Sequence, residues 1–270
     1  MPDPSPPQAT PLSSAAATFD LRGKVAFVAG GYGAIGAAIA RGLARCRAEV
    51  IVAGRDAGKS ASLTAELGGD GAPAHGIAMD ARSVASIRDA VDSSARRRGR
   101  IDVLVNCIGI QREEALLEIT GEAFEEVYEV NHKAAMFIGQ AVGRHQLAAG
   151  GGRQVHVLSV RAHLGLRDRG YSAYCSTKGG LAMLLKQHAM ELARHGITVN
   201  GVAPTVIRSE MASHWLDNPV TREQITDRIP LGRVGEPDDV VGATLLFCSA
   251  AAGFVTGQVL YIDGGITASQ

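Results

Sequence analysis

Short apolar runs alternate with helix-length stretches along nearly the whole chain, and this rhythm restricts the fold more than any other feature. The runs fall at 24–29, 50–53, 75–79, 101–105, 154–158, 198–202 and 259–262, and most are rich in valine and isoleucine. Such runs read as strands buried on both faces of a parallel sheet. Helices are expected between them, over 37–45, 57–67, 83–98, 122–148, 171–195 and 238–250. Right-handed crossovers make the result a doubly wound α/β domain with helices on both faces. Ligands of such a sheet bind at the carboxyl ends of its strands. Residues 209–230, with Trp215, Pro219 and Pro230, fit no single pattern and are expected to form a mobile flap.

The chain has 270 residues, enough for one large domain with a buried core. No repeat or linker divides residues 19–270. Residues 1–18 are rich in Pro, Ala and Ser and lack both basic residues and an apolar core, so a disordered tail is expected there rather than a signal peptide. Lysine plus arginine equals aspartate plus glutamate, 27 each, which leaves no basic field for nucleic acid. The densest basic run, Arg96-Arg97-Arg98 with Arg100, ends an expected helix, where cations suit the dipole. No apolar run reaches the roughly 18 residues that span a bilayer. Cys46, Cys107, Cys175 and Cys248 have neither metal-like nor redox spacing, and are expected to be small buried hydrophobes in a reducing, cytoplasmic setting.

The first apolar run leads into Gly30-Gly31-Tyr32-Gly33-Ala34-Ile35-Gly36 and then a helix. Strand, glycine turn and helix together are the context of a dinucleotide fingerprint. Glycines let the backbone approach a pyrophosphate, whose charge the helix N-terminus meets. The second run ends in Gly54-Arg55-Asp56. An acid at this point accepts hydrogen bonds from a ribose 2′-hydroxyl, whereas an arginine accommodates a 2′-phosphate. Arg55, nineteen residues past Gly36, favours NADP(H), and Lys59 adds charge one turn on. Asp56 is the rival that would face the ribose, which keeps NAD(H) as the alternative. Asp80, after the third run, is either a helix cap or an adenine contact.

The helix expected over 171–195 carries Tyr174-Cys175-Ser176-Thr177-Lys178. Tyrosine and lysine four apart share a helix face. An ammonium beside a phenol favours the phenolate, so the phenol's pKa is expected to fall from about 10 toward working pH. Such a tyrosine passes protons to and from a carbonyl or alcohol oxygen. Tyr171 is a rival, but four residues after it stands Cys175, not lysine.

In this order the motifs resemble those of the short-chain dehydrogenase/reductase family, over about 19–267. The family's T-G-x-x-x-G-x-G is read here as Ala29 to Gly36, with Ala29 for Thr and Ala34 for the middle Gly. Gly33 is expected to restore flexibility by shifting the turn one residue. Its N-N-A-G is read as Asn106-Cys107-Ile108-Gly109, and its P-G-x-x-x-T as Pro204-Thr205-Val206-Ile207-Arg208-Ser209. The terminal Ile262-Asp263-Gly264-Gly265 is a further shared trait. The resemblance implies a Rossmann fold, and catalytic roles for Asn131, Ser159, Tyr174 and Lys178, with Ser159 and Tyr174 fifteen residues apart. It implies cofactor contacts from Gly30, Tyr32, Gly33, Ile35 and Gly36 in the turn, and from Arg55, Asp80 and Ala81 beyond it. Asn106 and Gly109 would add contacts, as would Tyr174, Lys178, Pro204, Ile207 and Ser209.

The chemistry implied is hydride transfer between a nicotinamide and a carbonyl carbon, with the protein positioning and polarising. Tyr174 would exchange the proton, Ser159 orient the oxygen, Lys178 steady the tyrosinate and Asn131 hold a water that refills the proton through Lys178. Arg161 and His163 follow Ser159, and Arg208, Arg222 and Arg228 flank the flap. Arginine pairs with carboxylates, so a keto sugar acid such as 5-keto-gluconate is the expected substrate. A 3-oxoacyl thioester is an alternative, opposed by the few apolar residues of the flap. A non-catalytic dinucleotide sensor is another, opposed by the intact tyrosine–lysine pair. Members of the family commonly form tetramers or dimers through helices equivalent to 122–148 and 171–195, where Ala134, Ala135, Ala182 and Ala189 permit close approach.

Overall fold

A computed structural model describes residues 15–69 and 71–268. Seven parallel strands form one sheet in the order β3-β2-β1-β4-β5-β6-β7. They are β1 (Val25–Ala29), β2 (Glu49–Gly54), β3 (Ala74–Ala78), β4 (Val103–Asn106), β5 (Gly152–Val157), β6 (Ile197–Pro204) and β7 (Val259–Ile262). The helices are α1 (Ala15–Thr18), α2 (Ala34–Arg45), α3 (Ala57–Gly69), α4 (Val84–Arg98), α5 (Gly121–Tyr128), α6 (Ala134–Ala148), α7 (Ser172–Leu192), α8 (Ser213–Leu216), α9 (Pro219–Asp227) and α10 (Val241–Cys248).

The five central strands are buried on both faces, so their period of two divides one core into two. Val28, Val50, Val52, Val105 and Val155 point to the face covered by Ile39 and Leu43 of α2, Leu63 of α3 and Phe247 of α10. Phe27, Ile51 and Leu104 point to the other, against Ile87 and Val91 of α4 and Ile138 and Val142 of α6. Further along, Leu158, Val199 and Ala203 meet Leu181, Leu185 and Ala189 of α7. Helix ends follow local chemistry. Ser83 caps α4 by accepting the Ser86 N–H at 3.1 Å, and Gly99 ends it at φ 76°.

The chain runs outward from β1 through β2 to β3, then returns to lay β4 on the other side of β1. That reversal opens a crevice at the carboxyl ends of β1 and β4, where a doubly wound sheet binds its ligand.

Several expectations change. Residues 1–14 of the expected tail lie outside the described residues, and Ala15–Thr18 is a helical turn rather than coil. The long helix over 122–148 is interrupted by a π-helical segment, Glu129–Lys133, which carries Asn131. The flap is largely helical, because Asn218 caps α9 through the Val220 and Thr221 N–H groups and Pro219 opens it. Ala134, Ala135 and Ala189 are buried inside the subunit's own core, whereas Ala182 is half-buried on α7. All four cysteines are free, but only Cys248 is fully buried.

Candidate active site

The glycine turn is built by two positions. Gly30 has φ 71°, and a Cβ on it would sit 3.2 Å from Ile108 and the Cys107 backbone. A Cβ on Gly36 would lie 2.2 Å from the Gly30 carbonyl oxygen, so the turn closes only on glycine. Gly33 does not supply the flexibility expected of it. Its φ of −67° suits any residue, and it simply precedes α2. Ala34 opens α2 on the surface, so its replacement of glycine costs the turn nothing. No side chain caps α2, which leaves first-turn N–H groups facing the crevice for an anion. Ile35 is on the wall of the neighbouring cavity.

Beside this turn the Tyr32 ring lies over Gly54, where a Cβ would approach it to 2.3 Å. Gly54 thus shapes the floor on which Tyr32 rests, a role that its place in the sequence did not reveal. The Tyr32 hydroxyl accepts the Asp56 N–H at 3.1 Å. Asp56 itself accepts the Lys59 N–H at 2.9 Å, which turns one of its carboxylate oxygens to the start of α3. Arg55 is exposed and pairs with no acid among the described residues. Asp80 also turns inward on its own loop, accepting the Arg82 N–H at 3.0 Å, while Ser83 does the capping. Ala81 packs at the edge of the core beside α4. Asn106 accepts the Ile108 N–H at 3.1 Å and lies 3.3 Å from Nδ1 of His156, which holds the loop leading to Gly109.

At the ends of β5 and β6 lies a cavity of about 380 Å³, lined by Ser159, Tyr174, Lys178, Gly109, Pro204, Ile207 and Ser209 among the expected residues. Ser159 Oγ accepts the Arg161 N–H at 3.2 Å, fixing the serine at the strand end. Lys178 is 3 % exposed and donates to the Val157 carbonyl at 2.9 Å. Its ammonium is 5.7 Å from the centre of the Tyr174 ring. Asn131 is not in the cavity wall. Its Oδ1 accepts the Ile110 N–H at 2.8 Å, and its amide donates to the Ile110 carbonyl at 2.9 Å and to Thr177 at 3.2 Å. It ties the loop after β4 to α7, through a Thr177 contact that sequence inspection missed. The π-helical segment sets where that side chain emerges.

The electrostatics reverse one expectation. Burial pushes the Tyr174 phenol up to about 12, against a hydrogen bond from Ser159 that pulls the other way. The lysine does not hold it down, because burial weakens Lys178 itself, to about 8. Four residues of helix bring the pair together, but the low-dielectric wall around them decides the sign.

The outer wall separates the arginines. Arg161, Arg167, Arg169 and Arg228 face the cavity with Lys178, and no acidic side chain lines it among the described residues. Arg208 instead pairs with Glu236 at 2.9 Å, and neither Arg222 nor His163 reaches the cavity. Arg169 forms a bidentate pair with Glu113 and lies 5.9 Å and 5.6 Å from the ring centres of Tyr171 and Trp215. The flap also presents Met211, Trp215 and Ile225 to the cavity, so its inner face is less polar than expected. Burial raises Cys107 to about 12 and also raises Cys175, which leaves both as inert thiols.

Comparison with known proteins agrees with this architecture. Residues 30–267 match the family model Enoyl-(Acyl carrier protein) reductase. A gluconate 5-dehydrogenase of Gluconobacter oxydans is 36 % identical, covering 93 % of this chain and 97 % of its own. A D-threitol dehydrogenase of Mycolicibacterium smegmatis is also 36 % identical, covering 92 % and 95 %. Among solved structures, a gluconate 5-dehydrogenase from Burkholderia cenocepacia in complex with NADP and tartrate is 34 % identical, with TM-score 0.92 over 95 % of this chain and 100 % of that one. With matches that run almost end to end on a sheet of this order, the chain belongs to the short-chain dehydrogenase/reductase family, the NAD(P)-dependent oxidoreductases that act on CH–OH groups.

Proposed function

We propose that this protein reduces a keto sugar acid, such as 5-keto-gluconate, with NADPH, and catalyses the reverse oxidation with NADP⁺. The observation that carries this reading is the cavity wall, which sets Ser159, Tyr174 and Lys178 among arginines and contains no carboxylate among the described residues. A substrate entering such a site gains by bringing its own negative charge. Relatives named for gluconate and keto-gluconate support the choice of acid.

The residues present suit a dinucleotide. Gly30, Gly36 and the uncapped start of α2 leave room and N–H donors for a pyrophosphate, with Tyr32 and Gly33 bordering the turn. Arg55, which pairs with no acid among the described residues, suits a 2′-phosphate, while the rival Asp56 turns one oxygen to the start of α3, which supports NADP(H) over NAD(H). The NADP of the Burkholderia relative agrees with that choice. Asp80 and Ala81 would border the adenine, and Asn106, Gly109, Pro204, Ile207 and Ser209 the nicotinamide end. When bound, the cofactor supplies or accepts the hydride.

The chain's own residues then manage the oxygen. Tyr174, protonated across the working range, donates to the carbonyl oxygen in reduction. Ser159 holds the same oxygen in place. Burial lowers Lys178 to about 8, so it still carries its proton near neutrality but releases it more readily than a free lysine to refill the phenol. Asn131 acts by positioning, since its side chain is spent on Ile110 and Thr177. Preorganised donors around the developing alkoxide supply much of the rate enhancement.

Loss of NADPH absorbance in the presence of 5-keto-D-gluconate tests the reading, with NADH and a 3-oxoacyl thioester as comparisons. Turnover of the thioester alone would select the other reductase activity, which the apolar side chains of the flap favour. Turnover of nothing in a broad ketone panel would favour a sensor. We further propose a homo-tetramer or dimer. It would form through Phe124 and Tyr128 of α5 and Met183 and Met190 of α7, which are exposed where the alanines are not. Sedimentation of the Met183→Glu, Met190→Glu double variant as a smaller species would agree. Free cysteines without disulfides support a cytoplasmic location.

A further inference from the structure

We propose that Arg161 and Arg228 form a two-sided receptor for the substrate's carboxylate, and that the anion, by bridging them, draws the flap onto the cavity. The proposal rests on the keto-acid reading above and adds which residues select the acid and how.

The five cations of the cavity are not equivalent. Lys178 is committed to the Val157 carbonyl beside Tyr174. Arg169 is neutralised by Glu113. Arg167 is exposed and pairs with no acid among the described residues, on a loop that also carries Asp168 in the left-handed region at φ 57°. Arg161, half-buried, and Arg228, exposed at the rim, both line the cavity with no ion pair among the described residues, and Arg228 is the cation whose charge acts on Arg161.

These two arginines come from opposite banks. Arg161 follows Ser159 by two residues, and its guanidinium donates to the carbonyls of Leu164 at 3.3 Å and Gly165 at 2.6 Å. It is half-buried and fixed. Burial and the charge of Arg228 both work against its protonated state, burial the more strongly. Arg228 lies just beyond the end of α9, at the close of the flap, and its side chain has no hydrogen bond or ion pair among the described residues. Two like charges therefore line one cavity with no acidic partner among the described residues.

Arg161 is half-buried and its charge is met only by two neutral carbonyls, so a carboxylate that accepts from it and from the exposed Arg228 would offset its desolvation and the repulsion between the pair. Planar guanidinium donors match the two oxygens of a carboxylate, which a neutral hydroxymethyl group cannot imitate. Without the anion, repulsion between Arg161 and Arg228 holds the flap away. With it, the same pair becomes a clasp. The acid thus closes the site over itself, and a neutral polyol of equal length does not.

The test uses tartrate and D-threitol as matched four-carbon probes, one with terminal carboxylates and one with hydroxymethyl groups. Binding to the enzyme–NADP⁺ complex is measured by calorimetry, for wild type, Arg228→Gln, Arg228→Lys and Arg161→Gln. Limited trypsin digestion of residues 209–230 reports flap closure on the wild type and on Arg228→Lys, which keeps the charge. Wild type is expected to bind tartrate and resist digestion in its presence, and to bind threitol more weakly without protection. Arg228→Gln and Arg161→Gln are each expected to weaken tartrate on the order of tenfold to a hundredfold, and Arg228→Lys by less. Their 5-keto-D-gluconate kinetics should show a raised KM with kcat changed less. Arg161 supports its own loop, so the exposed Arg228→Gln keeps the test decisive if Arg161→Gln unfolds. Equal tartrate binding by wild type and Arg228→Gln, or no tartrate binding by wild type, overturns the receptor. Tartrate binding that depends on Arg228, in an enzyme that does not reduce 5-keto-D-gluconate, would keep the receptor and reject the proposed substrate.

Discussion

The two ends of the ligand cleft are held in shape by different forces. At the β1–β4 end the backbone itself is the scaffold. Gly30 and Gly36 close the turn, Gly54 seats Tyr32, and Asn106 folds its own loop through Ile108. At the β5–β6 end the scaffold is made of side chains that reach between segments far apart in the chain. Arg169 joins Glu113 to Trp215, Asn131 joins Ile110 to Thr177, and Arg161 stands opposite Arg228. A backbone scaffold tolerates almost no change and binds one kind of ligand. A side-chain scaffold can be rewritten residue by residue, which is how relatives on one fold come to be named for gluconate and for threitol.

The sharpest test of this division lies at the seam, where both ends need one group. Tyr174→Phe is expected to lower turnover about a thousandfold while NADPH binding stays within about twofold of wild type. The measurements are steady-state kinetics and cofactor titration. A variant retaining a tenth of wild-type turnover would remove the phenol from the chemistry. Gly36→Ala strikes the backbone scaffold alone. Its Cβ would meet the Gly30 oxygen at 2.2 Å, with nothing flexible to yield. NADPH affinity should fall about a hundredfold, with a lowered Tm, because backbone strain of this kind costs on the order of 1–3 kcal/mol and displaces the turn as well. Wild-type affinity in Gly36→Ala would break the comparison outright.

The same contrast explains what was legible before the fold was known. Strands announce themselves as Val- and Ile-rich runs because burial on both faces leaves no choice of residue. The glycine turn is legible because steric exclusion leaves a mark on composition. Yet even there Gly33 was expected to supply the turn's flexibility and does not, since a glycine in sequence does not say which φ it adopts. The π-helical segment at Asn131 left no mark in a pattern that continues smoothly across it. Asn218-Pro219 was a readable start signal inside the supposed irregular flap. The side-chain scaffold was hardest. Arg208 and Arg228 looked alike until Glu236, 28 residues from Arg208, took one of them out of the site. The direction of the Tyr174 shift was misjudged for a related reason. Spacing on a helix reports proximity, whereas desolvation depends on what the rest of the chain packs around the pair.

That desolvation sets a pH dependence. Burial lowers Lys178 from 10.5 to about 8, so its ammonium is present below that pH and lost above it. For reduction, kcat/KM is expected to be flat toward neutrality and to fall up to tenfold per unit above about 8, with Tyr174 still protonated. Stability should respond in the opposite sense. Between about 8 and 10.5 the unfolded chain binds the lysine proton and the folded chain does not, so this group's contribution rises with pH there. Urea midpoints of wild type should therefore gain on those of Lys178→Met across that window. A gap that widened in favour of the variant would contradict the burial argument. At the cofactor end, Arg55→Gln is expected to raise the KM for NADPH about tenfold and leave that for NADH within about twofold, since only one of them carries a 2′-phosphate.

The smallest effect expected is the most telling about the side-chain scaffold. Trp215 lies edge-on to Tyr171, with ring centres 6.5 Å apart, and beneath the Arg169 guanidinium at 5.6 Å. Together they form the part of the wall that joins the flap to the start of α7. Trp215→Ala removes one side of that stack, but it leaves the sheet, the glycine turn and the Glu113–Arg169 pair untouched. The KM for the keto acid should rise about threefold to tenfold, in line with roughly 0.5–1.5 kcal/mol for an aromatic contact beyond its buried area. The KM for NADPH and the Tm should scarcely move. If instead NADPH binding fell in step with substrate binding, the flap would be part of the cofactor's scaffold, and the division between the two ends would have to be redrawn around Trp215.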